Sequence, residues 1–313
     1  MSKTLLLKNA RLIATMDDQQ REIANGSILI RGNRIEAVGP AAELPDTADQ
    51  VLDMRGHILL PGLINTHHHM FQSLTRALPA AQDAELFDWL TALFPVWQNI
   101  TPAMQRAATR TAMAELMLSG CTTAADHAYL YVNGTRLDDS VQAAQEMGMR
   151  FHAARGAMSL GQSQGGLPPN ALVEQDEQAI LREMQRVIEE LHDASPDAMI
   201  RVALAPCSPF TVTTDLMREA ASLARSYGVG LHTHTAENSK DLAFSKERYG
   251  MTPTEYTESV GWVGPDVWHA HCVHLDEPGI ALFARTGTGV AHCPCSNMRR
   301  GQGWTGCGRQ RLE

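Results

Sequence analysis

From residue 58 onward, short apolar runs alternate with helix-length amphipathic segments, and this alternation is the strongest constraint on the fold. It is typical of βα units around a parallel sheet. Seven strands are predicted, in the segments ILLPGLINTH, CTTAADH, RFHAARGA, MIRVALAPC, VGLHTHTAE, VWHAHCVH and GTGVAHCP. The sequence therefore predicts an α/β fold, a (β/α)8 TIM-type barrel whose eighth strand is missing, with a doubly wound open sheet as the alternative.

The helices between these strands have readable ends. One is predicted to begin at Thr101, a good N-cap residue. Another is capped by Thr213 or Thr214 and ends at Gly228. Residues 172–193 have the apolar spacing of one long amphipathic helix.

The N-terminal segment has a different pattern of apolar and polar residues. Residues 1–57 alternate like short antiparallel strands, and the Gly-Asn pair at 32–33 favours a tight hairpin. We therefore predict a small N-terminal β-sandwich portion over 1–57, a metal-dependent hydrolase barrel over 58–300, and an atypical tail over 301–313.

Composition narrows the class of protein. The chain has 313 residues, 44% apolar and 19% charged, with a formal net charge of −9. That charge argues against nucleic acid or an anionic membrane as a partner. No signal peptide or 18-residue apolar stretch is found, and the six cysteines are interpreted as reduced thiols in a cytoplasmic protein. Homo-oligomerisation is left open.

Three consecutive histidines, His67 to His69, end the first predicted barrel strand. Side chains two apart on a strand share a face, with Cα atoms about 6.6 Å apart. Imidazole nitrogens bind zinc at about 2.1 Å, so the outer two can close on one ion while His68 points away. The spacing predicts that His67 and His69 bind a metal, although a His-rich polar loop would look the same.

Three further predicted strand ends are rich in histidine, which strengthens the metal hypothesis. Four such ends meet at one rim only if the sheet is closed, so the fold and metal interpretations support each other. The segments are LHTHTAEN, VWHAHCVH and AHCPCSN, with His232, His234, His269, His271, His274 and His292.

Several other sites are excluded by their signatures. HTAE and CPCS do not match the H-x-E and P-C-x-x-C of cytidine-type zinc deaminases. No C-x-x-C is present for a zinc ribbon, and no H-E-x-x-H for a zincin. The nucleophile elbow, Walker A and dinucleotide-binding patterns are also absent from the sequence.

The combination of PGLINTHHH, HTHTAEN, AHCVHLD and AHCPCSNM resembles the amidohydrolase superfamily, in its deaminase and chlorohydrolase branch. The segments NTHHHMFQSLTRALPAAQDAELFDWL, RGAMSLGQSQGGLPP and CSPFTV are most similar to the 8-oxoguanine deaminases and their hydroxyatrazine-hydrolysing relatives. The resemblance runs from about residue 4 to about residue 300. It implies a (β/α)8 barrel with a small β-sandwich, one divalent metal (usually Zn²⁺, with Fe²⁺ as the alternative), and hydrolytic deamination of a heterocycle.

The resemblance also implies roles for individual residues. His67 and His69 would bind the metal, and His234 would be the third ligand because Glu237 follows it at the family's H-x-x-E spacing. His271 would lie beside the metal-bound water. Glu237 would protonate the ring nitrogen of the substrate, a role for a carboxyl that is next to the metal but not bound to it.

Four residues are predicted to contact the small heterocyclic substrate. The side-chain amide of Gln72 can hydrogen-bond to an N–H and a C=O on the edge of the substrate ring. Cys207 occupies a place where several deaminase relatives carry histidine. Arg155 donates to a substrate carbonyl or forms a salt bridge at the barrel rim. His127 is assigned with the same two alternatives.

Two pairs of residues have competing interpretations. His232 and His269 share strand faces with the proposed active histidines but lie one step deeper, which favours a supporting or core position. Trp89 and Trp97 cover the substrate pocket in one interpretation. In the other, they pack in the core, which is the commoner position for a tryptophan.

The last residues depart from the family pattern. The resemblance implies a helix, an eighth strand that ends in an aspartate ligand, and further sandwich strands, whereas the chain reads RGQGWTGCGRQRLE. This segment has neither strand alternation nor a helical stripe, and we interpret it as truncated or out-of-frame sequence. We expect the chain alone to be poorly soluble or to bind zinc weakly, with little deaminase activity. A version extended with a homologous C-terminal segment should regain both.

Three functions are compatible with these features. The leading hypothesis is a metal-dependent aminohydrolase that acts on 8-oxoguanine or a related oxidised purine and releases ammonia. The second is triazine dechlorination or alkylamine release. The third is a truncated, non-catalytic metal-binding remnant, which metal stoichiometry together with an ammonia assay would distinguish from the first.

Overall fold

The protein is described by a computed structural model over residues 2–82 and 84–299. The chain divides into two compact units, Met1–Leu63 and Ile64–Glu313. The domain limits drawn from the sequence stay predictions. The predicted tail, and with it the expectation of truncated or out-of-frame sequence, lies outside the described residues.

The first unit contains one five-stranded sheet. Its strands are β1 (Thr4–Ala14), β2 (Glu22–Arg31), β3 (Arg34–Pro40), β4 (Gln50–Asp53) and β5 (Ile58–Leu59). The Gly-Asn hairpin between β2 and β3 is confirmed, with Arg31 paired to Arg34 and Gly32 at a φ of 60°.

The expectation that this segment is antiparallel throughout is wrong. β4 and β5 pair with β1 in parallel, with Leu5 opposite Gln50. The parallel pairing arises because residues 41–49 carry the chain back to the end of the sheet where β1 begins.

The second unit is built on a seven-stranded sheet whose strands follow one another in chain order. The strands are β6 (Leu63–Asn65), β7 (Cys121–Ala128), β8 (Arg150–Ala157), β9 (Ile200–Pro206), β10 (Gly230–Thr235), β11 (Val267–His271) and β12 (Gly289–Ala291). Neighbours from β7 to β12 pair in parallel. The predicted α/β architecture is confirmed, and this sheet has no eighth strand among the described residues.

Helices connect these strands. They are α1 (Leu86–Trp97), α2 (Pro102–Leu118), α3 (Leu137–Met147), α4 (Glu177–Leu191), α5 (Thr214–Tyr227), α6 (Ser239–Tyr249), α7 (Pro253–Ser259), α8 (Glu277–Thr286) and α9 (Pro294–Arg299). Thr101 and Thr213 cap α2 and α5 as predicted, each accepting a main-chain N–H. α4 begins later than predicted because Asp176 accepts the N–H of Ala179 and so fixes the helix start.

The core of this unit lies between the sheet and the helices. Apolar side chains of the strands are buried against those of α3, α4 and α5, among them Phe151, Val202, Leu204, Leu231, Met184, Val187 and Met217. This packing fixes the strands, and their carboxyl ends lie along one edge of the sheet, where binding sites of parallel sheets form. Each helix among the described residues is too short or too polar to traverse a lipid bilayer.

Candidate active site

The three consecutive histidines follow β6 instead of lying within it. The strand ends at Asn65, whose side-chain oxygen accepts the main-chain N–H of His67 at 3.1 Å. The single strand predicted over residues 58–67 is therefore wrong: Ile58–Leu59 pairs with β1 in the first sheet, and the barrel strand covers only Leu63–Asn65. The main chain still runs beside β7, because His127 donates its N–H to the carbonyl of His68 at 2.7 Å.

The three rings lie in two different environments. The ring of His67 is within 4.6 Å of that of His69 and within 5.4 Å of that of His271, measured between centroids. The ring of His68 lies close to Arg76, and burial together with the charge of Arg76 lowers its pKa. His67 and His69 therefore belong to one cluster of rings, and His68 lies outside that cluster.

Two ligand candidates have a defined tautomer. His69 Nδ1 is 2.7 Å from the carbonyl oxygen of His127, and His234 Nδ1 is 2.6 Å from that of Cys207. A carbonyl only accepts, so each Nδ1 must carry the hydrogen and donate it. The lone pair of each neutral ring is then on Nε2, and these two Nε2 atoms are 3.1 Å apart.

A chain of two hydrogen bonds defines the tautomer of His67. His232 Nδ1 donates to the carbonyl oxygen of Trp268 at 2.7 Å, so His232 Nε2 is an acceptor. His67 Nδ1 donates to that acceptor at 2.8 Å. The lone pair of His67 is therefore on Nε2, which is buried and has no hydrogen-bond partner among the described residues.

These three imidazoles fit a divalent metal. Burial lowers the pKa of His67 and His69 well below 6.5 and that of His234 to about 4, so all three are neutral near pH 7. Two lone pairs facing each other at 3.1 Å repel unless a cation lies between them. Neutral imidazoles held by donation from the other ring nitrogen are the usual metal-ligating form. The donor set therefore suits a transition-metal ion.

Further groups of donors lie in the same cluster. Within each group, the candidate ligand atoms are all within 4.8 Å of one another. The groups are His67 with His234 and His271, His67 with His127 and His232, and His127 with Cys207 and His234. The first of these groups shares His67 and His234 with the predicted set but has His271 in place of His69.

Glu237 and His271 face each other at the ends of two neighbouring strands. Glu237 Oε1 is 3.6 Å from His271 Nε2, and both side chains are buried. The other ring nitrogen of His271 is next to the amide of Asn297 in α9. A carboxyl and an imidazole at this separation can exchange a proton through one bridging water or substrate atom. They can also exchange it directly after a small movement.

The main chain at these two residues is in a rare conformation. Ala236, just before Glu237, has a φ of 50°, and His271 and Cys272 have φ values of 70° and 54°. Left-handed backbone at non-glycine residues costs about 1–3 kcal/mol each and is concentrated at functional sites. The sheet thus ends in two strained turns that direct Glu237 and His271 toward each other.

A cavity of about 940 Å³ opens beside this cluster. Its polar wall includes His67, His69, His234, Glu237 and His271, and its apolar wall includes Leu86, Trp89, Leu90, Phe94, Met158, Leu167 and Phe210. Apolar walls around a few convergent polar groups are typical of small-molecule sites.

Two of the predicted substrate contacts line this cavity. They are Gln72, whose side-chain N–H lies 3.4 Å from the hydroxyl oxygen of Tyr129, and Cys207. Burial raises the pKa of Cys207 to about 12, so the side chain is a neutral thiol near pH 7. Both side chains can contact a bound ring.

The other two predicted contacts, His127 and Arg155, are not among the residues that line the cavity. His127 is fully buried and donates from Nε2 to the carbonyl oxygen of Ala205 at 2.9 Å. The Arg155 guanidinium pairs with Glu174 at 2.8 Å and stacks on Tyr131 at 3.8 Å. Of the two alternatives given for Arg155, the salt bridge is the contact that the structure contains.

The two tryptophans lie in different environments. Trp89 lines the cavity, whereas Trp97 is fully buried and donates its ring N–H to Thr75 at 3.1 Å.

Of the deeper histidines, His232 bonds to His67, while His269 bonds to Thr235 and to the carbonyl of Trp262. The sequence did not point to Asn297 or to Asp241, which bonds to the main chain of Glu237. The only signal for them in the sequence was a polar residue a few positions after a predicted strand.

Comparison with known proteins defines the class. The model of the amidohydrolase family matches residues 58–309, and the chain belongs to that family. It is 43% identical over 284 residues to an 8-oxoguanine deaminase of Pseudomonas aeruginosa, covering 90% of this chain and 63% of that protein. It is 39% identical to a hydroxydechloroatrazine ethylaminohydrolase of Pseudomonas sp. strain ADP, covering 87% and 59%.

Solved structures agree with this assignment. An atrazine chlorohydrolase from Arthrobacter aurescens TC1, crystallised with zinc, superposes with a TM-score of 0.92 at 33% identity. The match covers 97% of this chain and 68% of the other. The chain spans less than two thirds of the length of these two curated relatives. The predicted family and its barrel-type fold are confirmed.

Proposed function

We propose that the protein is a metal-dependent aminohydrolase that deaminates 8-oxoguanine or a related oxidised purine. The observation that supports this most directly is the set of three neutral imidazoles, each with its Nε2 lone pair left for a metal, beside the Glu237–His271 pair. The likeness to an 8-oxoguanine deaminase supports the choice of ring.

We propose His67, His69 and His234 as the metal ligands and Zn²⁺ as the metal, with Fe²⁺ as the alternative. A divalent metal bound there would lower the pKa of a coordinated water toward neutrality. The zinc in the related chlorohydrolase supports the choice of metal. His232 and the carbonyls of His127 and Cys207 keep the three rings in the ligating tautomer.

The remaining steps fall to the residues of the chain. Glu237 delivers a proton to the ring nitrogen next to the amino-bearing carbon, and His271 accepts or holds the proton that the attacking water loses. Glu237 then recovers a proton from the newly attached hydroxyl, the proton on His271 passes to the amino group, and the C–N bond breaks to release ammonia. The buried position of both side chains keeps bulk water from competing for these protons. Gln72 and Cys207 contact the edge of the ring, and the apolar wall packs against its face.

An ammonia assay tests the proposal. The zinc-loaded protein should release ammonia from 8-oxoguanine, and a chelator should abolish the release. Glu237→Gln keeps the size of the side chain but removes the acid, so it should lower kcat by about 10²–10⁴-fold. Ethylamine or chloride release from a triazine in place of ammonia would favour the chemistry of the triazine-hydrolysing relatives. Stoichiometric zinc with no product from either substrate would favour a non-catalytic metal-binding protein.

We also propose a cytoplasmic location, without nucleic-acid or membrane partners. The net charge of −9 and the free thiols of Cys121, Cys207, Cys293 and Cys295 support it. Fractionation of cells that express the protein tests the location, and size-exclusion chromatography tests for a homo-oligomer.

A further inference from the structure

Helix α6 begins directly behind Glu237 and is capped in an unusual way. Asn238 is the N-cap and accepts the N–H groups of Lys240 and Asp241. In an ordinary capping box, the third helical residue bonds to the N–H of the N-cap itself. Here that residue, Asp241, reaches one position further and accepts the N–H of Glu237 at 2.9 Å.

The carboxyl of Asp241 is placed at a considerable energetic cost. It is only 7% exposed, and its second oxygen has no hydrogen-bond partner among the described residues. Burial, with the nearby charge of Glu237, raises its pKa to about 8. An exposed carboxyl would serve the helix start without this cost, as Asp176 does for α4. The hydrogen bond shown for the Asp241 carboxyl goes instead to the main chain of Glu237.

That main-chain segment needs to be held. Ala236 has a left-handed φ of 50°, which directs the chain out of β10 and brings Glu237 to 3.6 Å from His271. One bond holds the turn from the segment after β11, where His274 donates its N–H to the carbonyl of Ala236 at 3.0 Å. The bond from Asp241 holds it from the helix side.

We propose that Asp241 is a positioning residue for Glu237. Its carboxyl oxygen fixes the Glu237 N–H at the end of β10, so that the Glu237 side chain faces His271 and the cavity. The inference rests on the proposed role of Glu237 in proton transfer. Asp241 is itself neither a proposed metal ligand nor one of the residues that line the cavity.

Two variants of the zinc-loaded protein test this inference with the ammonia assay. Asp241→Ala removes the acceptor and should lower kcat by about 100-fold, since a shift of about 1 Å at a catalytic group has that effect. KM and zinc content should change less than twofold. Asp241→Asn keeps an acceptor oxygen and should restore most of kcat. Asp176→Ala, which removes an exposed helix cap far from Glu237, is the control and should lower only the melting temperature.

A double-mutant cycle separates positioning from general destabilisation. In the Glu237→Gln background, Asp241→Ala should cost less than about threefold in kcat, because residues that act through one another are not additive. An equal loss in both backgrounds, or a loss of Tm alone as in the control, would overturn the inference.

Hydrogen exchange of the Glu237 amide gives a readout independent of turnover. Protection should be lost in Asp241→Ala and kept in Asp241→Asn. If the parent protein releases no ammonia, the proposed function fails, and this measurement still decides whether Asp241 holds the Glu237 main chain. Unchanged protection in Asp241→Ala would refute that contact.

Discussion

At the scale of single residues, the candidate metal centre depends on which nitrogen of each histidine carries hydrogen. The acceptors that decide this are main-chain carbonyls for His69 and His234 and the ring of His232 for His67. None of them can be identified from the spacing of histidines in the sequence. They explain how each of these three rings can present its Nε2 lone pair to an ion.

The ligand assignment predicts a contrast within the three consecutive histidines. His67→Ala and His69→Ala should each lose most of the bound zinc, because each removes a ligating Nε2. His68→Ala should keep it, since that ring lies near Arg76 and outside the cluster. Metal content is measured by atomic emission after dialysis. Loss of zinc from His68→Ala as severe as from its neighbours would show that the ligand set is wrong.

A second prediction concerns the support of His67. His232→Ala leaves the Nδ1–H of His67 without its acceptor and should weaken zinc binding by about 10–100-fold. His232→Gln, which retains an acceptor, should recover part of the loss. Affinity is measured by competition with a chromophoric chelator.

The matched control is His269→Ala, another fully buried histidine that bonds to Thr235 and Trp262. It should lower stability without changing the zinc affinity. Equal losses of affinity in His232→Ala and His269→Ala would mean that both act only through the general stability of the sheet.

At the scale of elements, close packing of strands β7 and β8 shapes the cavity wall. Gly156 lies in β8, and a Cβ atom there would be 2.4 Å from the carbonyl oxygen of Ala128 and 2.7 Å from Cβ of Tyr129. Tyr129 in turn contacts Gln72 and packs edge-on against His69. A side chain at position 156 would therefore push Tyr129 toward the proposed site.

Gly156→Ala should lower the free energy of unfolding by about 1–3 kcal/mol, as overpacking of a core does, and should also weaken substrate binding. Chemical denaturation and KM are the measurements. Gly39→Ala in β3 is the control, because its nearest neighbour would be an ordinary contact 3.4 Å away. A Gly156→Ala protein as stable as Gly39→Ala would show that the strands can separate at no cost.

Elements with local signals could be predicted, and those that depend on a distant partner could not. Helices α2 and α5 begin at Thr101 and Thr213 because capping is a local interaction. The division of residues 58–67 between two sheets depends on the pairing of Ile58 with Leu12, far away in the sequence. The salt bridge of Arg155 depends on Glu174, whose distance no sequence pattern gives. The histidine and glutamate segments were found because their spacing is itself the signal.

At the scale of the whole molecule, the second unit buries many titratable groups in neutral form. Burial lowers the pKa of His127 and His232 well below 6.5 and that of His152 and His269 to about 4. It raises the pKa of Asp126 from 3.8 to about 7 and that of Asp241 from 3.8 to about 8. These opposite shifts predict a maximum in stability as a function of pH.

Between pH 4 and 6.5 the unfolded chain protonates these four histidines and also His67, His69 and His234, whereas the metal-free folded chain does not, so stability rises with pH. Over the same interval the folded chain holds protons on Asp126 and Asp241 that the unfolded chain has lost, which opposes the rise. The histidines are more numerous, so the net slope is upward up to about pH 7. At higher pH the histidines become neutral in both states, and the two carboxyls make stability fall toward pH 8. We expect the melting temperature of the metal-free protein to be highest near pH 7, as measured by calorimetry from pH 5 to 9.

One substitution tests whether Asp126 causes the loss of stability above the pH of this maximum. Asp126 Oδ1 accepts the N–H of Met70 at 2.7 Å, and its Oδ2 is buried without a hydrogen-bond partner among the described residues. Asp126→Asn keeps that acceptor and removes the cost of a buried charge, which is on the order of a few kcal/mol above pH 7. The variant should therefore gain stability at pH 8 relative to pH 5 and shift the maximum upward. Two results would contradict this prediction: a parent melting temperature that rises steadily to pH 9, or an Asp126→Asn variant with the same pH profile as the parent. Either would show that the buried carboxyls are ionised in the folded protein and are stabilised there by neighbouring groups.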